Sequence, residues 1–63
     1  SAAKFEETLD ALINAAPTGV DVISWLTKEI AGRSIERSGG DIKEASIALG
    51  IPPADLKKLL AGD

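Results

Sequence analysis

The side chains that could do chemistry in this chain are carboxylates and lysines, because the sequence contains no histidine and no cysteine. Acid–base or nucleophilic catalysis needs a positioned pair of such groups, and the carboxylates are explained by helix caps and solvated faces. Gly39 and Gly40 lack the flanking residues of a phosphate-binding loop. We therefore expect no enzyme activity, no metal site and no cofactor.

Two short helices joined by a tight turn are predicted near the C-terminal end. Asp41 is suited to cap the first helix, and Glu44 three residues later completes a capping-box pattern. Gly50 can adopt a positive φ angle and end that helix. Pro53 is acceptable in the first turn of the next helix, where its missing N–H would be unpaired anyway. The spacing predicts a helix-turn-helix with its two helices over residues 42–49 and 53–60.

A helix-turn-helix places its second helix in the major groove of DNA, with the N-terminal residues of that helix facing the base edges. Other donors hold phosphates. The candidate DNA-binding residues are Lys43, Pro53, Ala54, Asp55, Lys57 and Lys58. Structural explanations stay open for three of them. We interpret Asp55 first as a capping residue, although its carboxylate can accept from a cytosine N4 amino group, and two adjacent lysines are common at a solvated helix end.

The first half of the chain predicts two amphipathic helices, over residues 2–16 and 20–37. Thr18 and Asp21 are suited to begin the second helix. In the first helix, one face is apolar and the other carries acidic residues. The apolar positions are Phe5, Leu9, Leu12, Ile13 and Ala16, and the acidic ones are Glu6, Glu7 and Asp10.

The second helix has more apolar surface than one partner needs, and Trp25 lies well away from its main stripe. That stripe contains Val22, Ile23, Leu26 and Ile30, and is extended by Val20, Ala31 and Ile35. Two explanations stay open: a central helix packed on both sides, or a subunit interface anchored by Trp25. Gly32 in mid-helix would permit a close helix approach. The candidate dimer-interface residues are Phe5, Leu9, Leu12, Val22, Trp25, Leu26 and Ile30.

Length and charge limit the possibilities further. The chain has 63 residues, so a monomeric core is marginal, and without cysteine or histidine dimerisation is the remaining means of stabilisation. Neither a membrane span nor a signal peptide is predicted, and we expect a soluble cytoplasmic protein. The net charge is −3, but residues 28–58 hold six basic and five acidic residues, a net +1. That half is only faintly basic for a DNA-binding protein.

From Leu26 to Leu60 the sequence resembles the Fis-type helix-turn-helix domain of bacterial nucleoid proteins and NtrC-like activators. The matching positions are Glu29, Ile35, Gly39, Gly40, Asp41, Ala45, Leu49, Gly50, Ile51, Leu56, Lys57, Lys58 and Leu59. The resemblance implies that the two N-terminal helices interlock with those of a second chain in a four-helix core. The sequence departs from the family at Pro53, where arginine is usual, and at Asp55, where threonine or serine is usual.

These observations predict an all-α, four-helix, Fis-like domain that spans residues 1–63, with dimerisation helices over 1–37 and the helix-turn-helix over 41–60. The leading function is DNA binding by a dimeric bacterial transcription regulator. The expected partners are double-stranded DNA, a second copy of the chain and further domains of a parent regulator. The alternative is a degenerate helix-turn-helix that serves as a dimerisation or protein-interaction module without DNA binding.

Overall fold

The computed structural model describes residues 1–62 and is all-helical, without a strand in that range. The all-α prediction with four helices is therefore confirmed. The predicted bounds of the third helix match the structure, and the other helices begin or end within two residues of the prediction. The helices are α1 (Ala2–Ala15), α2 (Val22–Arg37), α3 (Ile42–Leu49) and α4 (Pro53–Ala61).

Side-chain caps determine where the first two helices begin. The Ser1 hydroxyl accepts a hydrogen bond from the Lys4 N–H at 3.4 Å, and the Asp21 carboxylate accepts one from the Ser24 N–H at 3.1 Å. Helix α2 consequently begins at Val22, two residues later than predicted. Of the two residues expected to begin α2, Asp21 is the N-cap residue. Thr18 lies before the helix.

The α2–α3 connection is a tight turn with a cap on each side. Gly39 has a φ angle of 69°, and the Gly40 N–H donates to the Ile35 carbonyl at 3.0 Å, which satisfies the end of α2. Asp41 then caps α3 through the Glu44 N–H at 3.1 Å, as predicted. The reciprocal half of the capping box does not form, because the Asp41 N–H donates instead to the Ser38 carbonyl at 3.4 Å.

The α3–α4 connection has three residues, Gly50, Ile51 and Pro52. Gly50 has a φ angle of 74° in the left-handed region, as predicted. The Ile51 N–H donates to the Ser46 carbonyl at 3.2 Å, and the Gly50 N–H donates to the Ile47 carbonyl at 3.2 Å. These two bonds are those of a Schellman motif, which ends a helix and reverses the chain within two residues.

The core lies where α2, α3 and α4 meet, since each of these helices packs against the other two. Its fully buried apolar residues are Ala31 of α2, Ala45 of α3 and Leu56 of α4. Around them pack the partly buried side chains of Ile35, Ile42, Leu49, Ile51 and Leu59. The prediction that α4 buries Leu60 is wrong, because that side chain is 41% exposed. Ala45 lies in this core as predicted, and its small side chain lets the helices approach closely.

The face of α2 that packs against the core is not its main apolar stripe. Ala31 and Ile35 point to the core, whereas Ile23 is 74% exposed and Ile30 is 49% exposed. The main stripe, for which both a packed helix and a subunit interface were left open, is therefore partly uncovered in one chain: Ile23 and Ile30 are exposed, and Val22 and Leu26 are half-buried. Gly32 does not mark a close approach within the chain either, since a Cβ atom there would meet nothing within 4 Å.

Helix α1 contributes no buried residue, and Phe5 on its apolar face is 64% exposed. The accessible surface of the chain is 4795 Å². A compact monomer of 6.5 kDa exposes about 3,800 Å², so the excess is about 1,000 Å². Within residues 1–62, no helix is both long enough and apolar enough to cross a membrane.

Candidate functional site

Helix α4 presents five of the six candidate DNA-binding residues on its exposed surface. Leu56, which is fully buried, fixes the rotation of the helix. At 100° per residue, Ala54 and Lys58 then lie on the side opposite the core, with Lys57 and Asp55 on the two flanks. Pro53, Ala54, Asp55, Lys57 and Lys58 are all exposed. The short helix thus brings these five together, while Lys43 lies on α3 as a separate exposed residue.

The first turn of α4 has few hydrogen-bond donors. Pro52 is the N-cap residue and makes no side-chain cap, and Pro53 follows it at the first helical position. The Asp55 and Leu56 N–H groups both donate to the Pro52 carbonyl, at 3.0 and 3.2 Å. This leaves the Ala54 N–H as the backbone donor of the turn that has no acceptor among residues 1–62.

Asp55 lies at the third position of α4, in the acidic first-turn position on which its structural interpretation rested. In the described part of the chain its carboxylate accepts no hydrogen bond and forms no ion pair. Asp55 therefore makes no capping bond, and the N-cap residue is Pro52. What remains is a favourable interaction between a first-turn carboxylate and the helix dipole, typically about 0.3–1 kcal/mol.

The charges of this surface partly cancel. The exposed surface of α4 carries Asp55 and two lysines, which give it a net charge of +1. Across residues 1–62 the structure contains one ion pair, between Arg33 and Glu36 at 3.1 Å, and both side chains are more than 70% exposed. Such an exposed pair stabilises the fold by less than about 1 kcal/mol. The lysines of α4 and α3 are thus not engaged by carboxylates of the described chain.

A second feature is an open apolar groove of about 630 Å³ along the back of α2. Its walls come from three helices: Leu12 of α1, Leu49 of α3 and the outer side of α2. The α2 residues that line it are Trp25, Leu26, Glu29, Ile30, Arg33, Ser34 and Arg37. We call this surface the α2 groove. It has an apolar floor, with two arginines and a glutamate at its rim.

The α2 groove contains four of the seven candidate dimer-interface residues: Leu12, Trp25, Leu26 and Ile30. Trp25 and Leu26 are half-buried, whereas Leu12 and Ile30 are exposed. The other three candidates lie outside the groove: Phe5 and Leu9 on exposed turns of α1, and half-buried Val22 at the start of α2. The structure thus gathers part of the predicted interface on one surface.

Within residues 1–62, five further exposed large apolar residues were not among the interface candidates: Ile13, Val20, Ile23, Ile47 and Leu60. Ile23 and Ile47 are the most exposed of them. Ile23 belongs to the apolar stripe of α2, so the periodicity already contained its signal. Ile47 is 73% exposed on α3, and its signal is that it breaks the three- and four-residue spacing of Ile42, Ala45 and Leu49. It lines a shallow pocket with Ser34 and Arg37, two residues that also line the α2 groove.

No group of three acidic side chains converges in the described range in a way that could hold a metal ion. Comparison with known proteins gives no match, since no family model, no characterised protein and no solved structure matches this chain. The arrangement of α4 and the α2 groove is therefore the basis on which function has to be argued.

Proposed function

We propose that this chain is the DNA-binding domain of a bacterial transcription regulator and that it acts as a homodimer. The observation that carries the proposal is the fixed presentation of α4. The Schellman turn at Gly50 orients this helix, and Leu56 anchors it against α2 and α3, while its opposite side is open along its whole length. This is the arrangement of a recognition helix in a helix-turn-helix.

The dimensions of α4 suit the major groove of DNA. Its nine residues extend about 14 Å, and a helix of about 10–12 Å diameter enters a groove about 12 Å wide. Ala54 lies on the side farthest from the core, and its small side chain allows the backbone to come close to the base edges. Its methyl group offers an apolar contact to the methyl group of thymine.

Phosphate contacts would come from lysines on two helices. Lys57 and Lys58 project from α4, and Lys43 lies near the N-terminus of α3, where the helix dipole also favours an anion. Three lysines per chain are few, and Asp55 offsets part of their charge. A single chain would therefore bind DNA weakly, and two chains on paired half-sites double the number of phosphates neutralised.

A second copy of the chain is the partner that best fits the uncovered apolar surface. The excess accessible surface of about 1,000 Å² is similar to the area that one partner contributes to a stable interface, about 800 Å². The surface concerned is the apolar face of α1 together with the α2 groove. Burying it in a symmetric pair supplies the apolar core that 63 residues lack on their own.

Charge complementarity supports this occupant. Arg33 and Arg37 line the α2 groove, and at 100° per residue Glu6 borders the apolar face of α1, with Asp10 farther round and Glu7 on the opposite side. When α1 of a second copy lies along the groove with its apolar face on Trp25, Glu6 is the acidic residue placed to approach the arginines. The resemblance of residues 26–60 to Fis-type domains implies the same arrangement, with the two N-terminal helices interlocked between chains.

A second function is favoured by the start of α4. Pro52 and Pro53 offer no donors, and Asp55 places an unpaired carboxylate where phosphates would approach. These features suit a helix-turn-helix that retains its fold as a dimerisation or protein-interaction module without binding DNA. The fold is the same in both cases, so only a binding measurement distinguishes them.

The test is a fluorescence anisotropy titration of a labelled mixed-sequence duplex at about 50 and about 200 mM salt. The proposal predicts binding at the lower salt that weakens steeply at the higher salt, because lysines displace counterions from phosphates. An absence of binding at the lower salt, with the dimer intact, would contradict DNA binding and favour the interaction module.

A further inference from the structure

We propose that Asp55 determines sequence specificity by accepting a hydrogen bond from the N4 amino group of a cytosine in the major groove. This inference rests on the proposed function, since it assumes that α4 enters the groove. A recognition helix is usually basic, and the carboxylate in the first turn of α4 is the main departure from that pattern. The inference explains this carboxylate as a specific contact to a base.

The carboxylate of Asp55 is available for such a contact. It is exposed in the first turn of α4, and among residues 1–62 it accepts no hydrogen bond and forms no ion pair. Lys58 lies three residues later on the same helix but does not pair with it. Pro52, not Asp55, is the N-cap residue, and no side-chain cap bond forms at this helix start.

Because of its neighbours, Asp55 has the one side chain in the first turn of α4 that can form a hydrogen bond to a base. The side chains of Pro53 and Ala54 have no polar atom, and Pro53 has no backbone N–H. Apart from the Ala54 backbone N–H, the group of the first turn that can hydrogen-bond to a base is therefore its one carboxylate, and an ionised carboxylate only accepts. A base with a donor on its groove edge is then favoured over a base that presents acceptors alone.

Among the four bases, cytosine fits this requirement best. Guanine presents two acceptors in the major groove, N7 and O6, and thymine presents the acceptor O4. Adenine has a donor at N6 but also the acceptor N7 beside it, which would repel the second oxygen of Asp55. In a base pair the cytosine N4 amino group is flanked by one acceptor, O6 of the paired guanine, whereas adenine N6 is flanked by two, its own N7 and O4 of the paired thymine.

The experiment is a selection of bound duplexes from a pool with a randomised central region, using the whole chain. Wild type, Asp55→Asn and Asp55→Ala are compared, and Glu36→Gln serves as the control that removes an exposed negative charge outside α4. Circular dichroism verifies that each variant is helical, which is expected because both substituted side chains are exposed.

Wild type is expected to prefer cytosine at one position of each half-site by about fivefold or more. Asp55→Asn should change that preference to adenine, because an amide pairs with adenine N6 and N7. Asp55→Ala should lose the preference, and Glu36→Gln should retain it.

Two results would overturn the inference and leave DNA binding in place. One is an unchanged base preference in both Asp55 variants. The other is a uniform gain of affinity for all duplexes in Asp55→Ala, since that would mean that Asp55 only repels phosphates. A wild-type chain that binds no duplex at low salt would remove the proposed function and this inference together.

Discussion

The Ile51 N–H donates to the Ser46 carbonyl at 3.2 Å, and this bond closes the turn that orients α4. Between the two residues Gly50 has a φ angle of 74°, which places the chain in the left-handed region. Ile51 then packs against the core with its side chain. The direction of α4, and with it the exposure of Asp55 and the two lysines, depends on this local geometry.

Gly50→Ala should destabilise the fold for a purely conformational reason. A Cβ atom at Gly50 meets nothing within 4 Å, so the cost is that of a positive φ angle for an L residue, about 1 kcal/mol or slightly more. Gly32→Ala is the matched control, because its surroundings are equally open but it lies in mid-helix. It should stabilise the chain by up to about 1 kcal/mol.

Thermal unfolding measures both glycine variants, and 1 kcal/mol corresponds to a shift of about 4–8 °C for a domain of this size. The melting temperature should fall for Gly50→Ala and rise for Gly32→Ala. An equal fall of the melting temperature in both variants would show that the positive φ angle of Gly50 is not the cause of the destabilisation.

Leu56→Ala should nearly abolish the folded state. Leu56 is fully buried between three helices, and removing such a side chain costs about 2–5 kcal/mol. Leu60→Ala in the same helix is the control, since Leu60 is partly in solvent and should cost less than about 1 kcal/mol. Urea unfolding followed by circular dichroism compares the two. Similar midpoints would contradict the packing of α4 described above.

Trp25→Ala should convert the dimer into a monomer. Trp25 lies in the α2 groove that we assign to a second chain, and a large aromatic residue in such a position is a typical interface anchor. Ile47→Ala is the control, because Ile47 is an exposed apolar residue outside that groove. Sedimentation equilibrium gives the masses. An unchanged mass for Trp25→Ala would rule out its anchoring role.

Replacing Lys57 and Lys58 together by alanine should weaken binding to every duplex by a similar factor. Each lysine that holds a phosphate contributes about one unit to the slope of log K against log salt, so the slope should flatten by about two units per chain. The control is the double variant Lys4→Ala with Lys28→Ala, which removes the same charge from α1 and α2. If the two double variants change the slope equally, the α4 lysines do not hold phosphates.

Much of the fold follows from residues that act locally. Asp41, Gly50 and Pro53 determine where α3 and α4 begin and end, and each acts through its own backbone or through a bond to a residue three positions away. Ala45 and Leu56 could be identified as core residues because helical spacing places them opposite the charged positions. Such short-range effects can be predicted from the sequence.

The side of α2 that meets the core could not be obtained in this way. Its largest apolar residues form one stripe, yet the core is built on Ala31 because α3 and α4 cross α2 at that small residue. Burial in this case is decided by how three helices fit together, not by the hydrophobicity of one. Ile23 and Ile30 stay exposed as a result, and periodicity cannot tell a core stripe from an interface stripe.

The fold of one chain does not determine what the α4 residues contact. Sequence places Lys57 and Lys58 on an exposed turn, and the structure keeps them there. It also shows that Pro52, not Asp55, is the N-cap residue of α4, while Asp55 lies in the first turn, where the helix dipole favours a carboxylate. What these side chains contact in a complex is therefore the subject of the measurements proposed above.

The most direct test of the central claim is analytical ultracentrifugation of the chain with a fluorescent mixed-sequence duplex at about 50 mM salt, with detection of the duplex. We predict that the duplex sediments as a complex whose mass contains two chains. A duplex that sediments alone, beside a chain that sediments as a dimer, would contradict DNA binding and assign the helix-turn-helix to a protein partner.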